Sequence, residues 1–155
     1  MKKEIKQLIG STCSNVFLQS TKDICFDTDL LVINFKKNDL LLSLHSFSLA
    51  RCFYKNKLIY TSTDHYLSNE GIGWVVGQKK ISSKTFKAFK QSIVGRNVLG
   101  IILKPCGDIF LRFEDSIVLQ LLIDYTHQEK KETHRLLIEK PSEGKDAFSH
   151  YVYEF

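Results

Sequence analysis

The sequence predicts an α+β fold: two pseudo-repeated antiparallel β units packed together, with one main helix at about residues 82–94. Three observations predict it. First, the 155-residue chain carries one order of elements twice. Leu8-Ile9-Gly10 leads through an acidic residue to the apolar run Leu30–Phe35, a polar break and Leu40–Leu44. Ile93-Val94-Gly95 leads through Asp108 to Ile109–Phe113, a polar break and Ile117–Leu121. A repeat that cannot bury its apolar face alone buries it against its twin. Second, most apolar runs are of strand length and are bounded by turn residues. Third, only one segment has clear helical periodicity. The alternative architecture is an all-β sandwich or partly open barrel with a single helix. The length fits one domain, with the internal pseudo-repeat at about 8–62 and 93–140.

Taken in order, Lys3–Ile9 reads as a short helix ended by Gly10 in the left-handed conformation. Cys13–Gln19 reads as a strand. Leu30–Phe35 and Leu40–Phe47 pair as a hairpin across Lys36-Lys37-Asn38-Asp39, residues suited to a turn. Leu30 and Val32 fall on one face of that hairpin and Leu31, Ile33 and Phe35 on the other, so both faces need cover. Arg51–Tyr54 and Lys57–Ser62 form a further hairpin across Lys55-Asn56. Residues 63–80 are less regular, with a short strand at Trp74-Val75-Val76 among three glycines, and mark the boundary between halves. Ser82 or Ser83 caps the main helix and Gly95 stops it. Phe86, Phe89 and Ile93 share one helix face, and Lys84, Lys87 and Lys90 lie on a neighbouring one. Asn97–Lys104 is a strand, Pro105–Asp108 a turn, and 109–113 with 117–123 the second hairpin. Residues 126–140 are ambiguous between helix and strand. Phe148–Phe155 alternates like an edge strand that could extend another chain's sheet, and the oligomeric state stays open.

The net charge of +5 is unevenly spread. Residues 1–70 hold nine basic and seven acidic side chains, residues 71–107 seven basic and none acidic, and residues 108–155 six basic and ten acidic. Clustered cations create a local positive potential that speeds encounter with anions. The candidate binding residues are therefore Lys79, Lys80, Lys84, Lys87, Lys90 and Arg96. The competing reading is a solvated helix face, because no aromatic residues interleave on the cationic side.

The four cysteines are too far apart in sequence for a CxxC pair. No apolar run has the length of a signal or of a membrane span. A reducing cytoplasm is the expected home, with thiols acting as small apolar groups. His127 and His134 lie seven apart, not the spacing that brings two imidazoles to one ion within a helical turn. Asp64-His65 with Ser62 or Cys52 is the one acid–base constellation to weigh, but no nucleophile turn accompanies it. The three glycines around Trp74 match no phosphate loop. The expectation is no catalytic residue, no metal and no cofactor.

The order Leu8-Ile9-Gly10, Leu30–Phe35, Leu40–His45, Arg51, Tyr60-Thr61-Ser62-Thr63-Asp64, followed by Asp108–Phe113 and Glu132-Thr133-His134-Arg135-Leu136, resembles a group of small bacterial proteins. Some of these are encoded near toxins and are suspected immunity proteins. The resemblance implies an interaction protein and carries over no catalytic residue. The basic middle departs from the acidic character usual in nuclease inhibitors. The function expected is a non-catalytic cytoplasmic interaction protein of the immunity or inhibitor type, binding an acidic protein surface. The alternative is a nucleotide or nucleic-acid binder that uses the basic segment 79–104.

Overall fold

Short apolar runs joined by residues that accept left-handed backbone dictate a chain of hairpins. The computed structural model describes residues 3–20, 29–46, 48–62, 84–123, 134–141 and 148–154. A single 3-10 turn, Ile5–Leu8, precedes β1 (Thr12–Ser20), β2 (Asp29–Lys37), β3 (Leu40–Ser46), β4 (Leu49–Tyr54) and β5 (Lys57–Thr61). Then come α1 (Lys84–Ile93), β6 (Val98–Leu103), β7 (Ile109–Phe113), β8 (Ile117–Leu122), β9 (His134–Pro141) and β10 (Phe148–Glu154). Lys55 and Asn56 both have positive φ (47° and 63°), as the two-residue hairpin between β4 and β5 requires. Asn38 does the same between β2 and β3 with φ 52°.

The ten strands form two open, wholly antiparallel sheets, and α1 is the single α-helix among the described residues. One sheet has the order β1-β2-β3-β9-β10 and the other β5-β4-β8-β7-β6. The sheets do not follow the halves of the chain. The hairpin β4–β5 leaves the meander β1–β2–β3 and pairs with β8, and β9–β10 leaves β6–β7–β8 and pairs with β3. Advancing every strand of the first sheet by five places reproduces the order of the second.

The seam between the sheets has the same regularity. Thr12 and Asn97 form an antiparallel bridge. Around it the Gly10 N–H donates to the Val98 carbonyl and the Gly95 N–H to the Cys13 carbonyl, both at 2.8 Å. The Cys13 N–H donates to the Arg96 carbonyl and the Val98 N–H to the Ser11 carbonyl, both at 2.9 Å. Each bond has a counterpart 85 residues away with the roles exchanged. The register also shifts once in each meander at matching places, between Cys13 and Asn15 and between Val98 and Gly100.

The inner faces of the two sheets share one apolar core, in which Leu31, Ile33, Phe35, Leu42, Leu44, Leu136 and Ile138 meet Ala50, Cys52, Ile109, Leu111, Phe113, Leu119 and Leu121. On the second face of β2, Leu30 and Val32 are only 6% and 2% exposed yet lie outside that core. The doubly apolar pattern of this strand therefore corresponds to cover on both sides.

Two expectations need adjustment. The N-terminal helix is one 3-10 turn, because Gly10 (φ +78°) redirects the chain into the seam. The ambiguous stretch 126–140 holds a strand from His134, since Leu136 and Ile138 pair into the core beside β3. Among the described residues the two sheets stay open, consistent with the α+β class. The proposed short strand at Trp74 and the capping serines Ser82 and Ser83 lie outside the described residues.

Candidate functional site: a cationic helix across the sheet edges

Helix α1 packs against β5 and β1, the edge strands of the two sheets. Its spacing of aromatic and apolar residues explains the seat. Phe89 and Ile93 are fully buried, and Phe89 stacks on Tyr60 with centroids 4.4 Å apart and planes within 3°. Phe86 meets both rings edge-on at 5.8 Å. Gly95, with φ +83°, ends the helix and hands the chain to the seam.

Of the six predicted binding residues, the structure places four. Lys84 and Lys87 are exposed on the side of α1 away from the core. No acidic residue occupies the first turn. Cations there oppose the positive end of the helix dipole, so these two lysines cost the helix a little stability. Lys90 is half-buried, and its charge is felt at the Cys13 thiol. Arg96 is engaged elsewhere: its Nε lies 2.7 Å from Asp115 Oδ2. Both side chains remain about half-exposed, so this pair contributes modestly to stability. Of the described members of the predicted row, Lys84 and Lys87 are exposed, Lys90 is half-buried and Arg96 pairs with Asp115. Lys79 and Lys80 lie outside the described residues.

Beside this row runs a shallow groove of about 290 Å³. Ala88 and Ser92 of α1 form one wall and Tyr54 and Ile59 of the β4–β5 hairpin the other. Ile117 and the Arg96–Asp115 pair complete its lining. Next to that pair the Glu114 carboxylate accepts bonds from the Asn97 backbone N–H (2.9 Å) and the Asn97 side-chain amide (3.0 Å). These bonds hold the Glu114 pKa below its usual value.

Several other titratable groups are interior or engaged. Cys13 and Cys52 are buried free thiols whose pKa values burial pushes up to about 12, so neither is a ready nucleophile. Cys106 is free and exposed. Asp108 accepts a bond from the Ile123 backbone N–H at 2.8 Å, a structural task at the start of β7. His45 lies 3.0 Å from the Ser43 hydroxyl. Asp64, His65 and His127 lie outside the described residues. Among the described residues no group of three or more His, Cys, Asp or Glu is placed to hold a metal ion, and no helix is long and apolar enough to cross a membrane.

One polar cluster escaped sequence reasoning. His134 is fully buried at the start of β9, with Nδ1 3.1 Å from the Ser46 hydroxyl, which in turn lies 2.7 Å from the Ser48 hydroxyl. Burial pushes the imidazole pKa down to about 4, against the opposing pull of the Asp108 carboxylate and the Gly107 backbone. The ring is therefore neutral near pH 7. Ser46 and Ser48 flank the crossing from β3 into the second sheet, and His134 opens β9 in the first, so both crossings meet at this cluster. Its members lie 88 residues apart, and only the topology joins them.

In comparisons with known proteins, no family model, curated protein or solved structure matches the chain significantly.

Proposed function

We propose that this chain is a duplicated, non-catalytic interaction protein of the immunity or inhibitor type, whose helix α1 meets an acidic protein surface. The observation that carries the reading is the two-sidedness of α1. Phe89 and Ile93 anchor it in the core while Lys84 and Lys87 face solvent without an acidic neighbour in the first turn. Such a helix is anchored in the core and presents positive charge that no acidic residue of its own first turn offsets, which favours docking on anions. The duplication is supported by the five-place shift between the sheet orders and by the reciprocal bonds at the seam. The chemistry of the thiols points the same way, because Cys13 and Cys52 act as core residues.

The test is capture of an acidic partner by the tagged full-length protein, compared with the triple variant Lys84→Glu, Lys87→Glu, Lys90→Glu. The variant keeps the wild-type thermal transition and loses most of the captured partner. Equal capture by both proteins removes the proposal.

A further inference from the structure

The outer face of the second sheet carries a pattern distinct from helix α1. Register places Phe110, Gln120 and Arg51 side by side on β7, β8 and β4. One step along, Arg112, Val118 and Phe53 form the next row. Phenylalanine and arginine thus occupy alternate corners of a square. Its two rings lie roughly 12 Å apart by strand geometry, each with room for its own planar partner.

Among the described residues of these strands the face carries no negative charge. Arg51 and Arg112 are exposed, Phe53 and Phe110 are half-buried, and the flanking Ile102 is 57% exposed. Strands β4 to β8 contain no Asp or Glu. Gly100 beside the square has no side chain, and the Arg112 guanidinium lies over it, within 3.5 Å of where a Cβ would stand. The Lys104 ammonium sits 6.0 Å from the centre of the Phe110 ring.

The first sheet keeps one corner of this pattern and lacks the other three. Arg135 on β9 stands in the place of Arg51, but where the second sheet has Phe110, Arg112 and Phe53 the corresponding places on β2 and β9 hold Val32, Asn34 and Leu137. The arrangement is therefore not a by-product of the fold's regularity. An acidic protein surface calls for charges around an apolar centre. Here cations and rings alternate within the centre itself, matching a chain that alternates base and phosphate.

We propose that the outer face of the β4–β8 sheet binds single-stranded nucleic acid, with Phe53 and Phe110 stacking on bases and Arg51 and Arg112 holding phosphates. This surface is separate from helix α1 and does not depend on the reading given for it.

The test is fluorescence anisotropy of a labelled oligodeoxythymidylate of about 12 nucleotides with the full-length protein, over a salt series. Arg51→Glu with Arg112→Glu weakens binding by about tenfold or more and flattens the salt dependence. Phe53→Leu with Phe110→Leu keeps the apolar volume, weakens binding by about tenfold and leaves the salt dependence unchanged. Lys84→Glu with Lys87→Glu leaves the affinity unchanged. Absence of binding overturns the proposal, as does wild-type affinity in the leucine variant. Loss of binding only in the helix variant also overturns it, and so does a preference for poly-L-glutamate over the oligonucleotide, which would assign the face to an acidic protein. Thermal transitions of each variant verify folding, and the exposed arginine pair keeps the test decisive if the phenylalanine variant melts early.

Discussion

Phe35 and Phe113 lie nearly parallel, one from each sheet, with ring centroids 6.5 Å apart and planes 13° from each other. They occupy equivalent places, since Phe35 pairs with Cys13 on β1 and Phe113 with Val98 on β6. Both rings are fully buried, so each alanine substitution costs about 3–5 kcal/mol. Because the rings touch, the double variant loses less than the sum of the singles, by roughly 0.5–1.5 kcal/mol. Denaturant unfolding of the four proteins checks this, and strict additivity would show that the two sheets are not coupled here.

Acid weakens the fold through His134. Its folded-state pKa of about 4 lies below the usual 6.5. As pH falls below about 6.5, the unfolded chain takes up a proton that the folded chain refuses. The His134 contribution is therefore complete above that pH, falls between about 6.5 and 4, and levels off below, with a loss of roughly 3 kcal/mol. The lowered Glu114 acts in a separate window, because its contribution fades only as pH falls below the ordinary carboxylate value of 4.5. Urea unfolding across this range detects the slope, and His134→Asn abolishes it between pH 4.5 and 6.5. An unchanged slope in that variant would assign the effect to other groups.

Two glycines with positive φ separate backbone strain from collision. A Cβ at Gly95 (φ +83°) meets nothing within 4 Å, so Gly95→Ala costs about 1 kcal/mol from backbone strain alone. A Cβ at Gly107 (φ +102°) would collide with Ile123 Cδ1. Gly107→Ala therefore costs more than Gly95→Ala, and the added change Ile123→Ala recovers part of the difference. Thermal melts of the three proteins decide it, and equal costs for the two glycines would show that Ile123 moves aside freely.

The hairpins were legible because their signals are local. Lys55-Asn56 forms its turn where expected, and β4 and β5 flank it. The helix was legible for the same reason, with Phe89 and Ile93 buried as their spacing required. The partners of the strands were not legible. No residue near Ser46 announces that it will pair with His134, so the exchange of hairpins between sheets stayed hidden. The site followed the same division. Periodicity predicted the exposed side of Lys84 and Lys87, whereas Arg96 meets Asp115 only after a turn with left-handed backbone at Asp115 (φ 57°) brings it close. Arg51, Phe53, Phe110 and Arg112 share a surface only once β4 lies beside β8, a pairing of residues as distant in sequence as Leu49 and Leu122.

The traded hairpins also set an order of events for a growing polypeptide. When β3 leaves the ribosome, the strand that will cover its outer edge, β9, has not yet been made. Until it arrives, a row of unsatisfied amides and carbonyls on β3 stays open to unwanted pairing, and the meander must wait for residues synthesised long afterwards. Early release from translation would therefore leave a sticky intermediate rather than a smaller working protein.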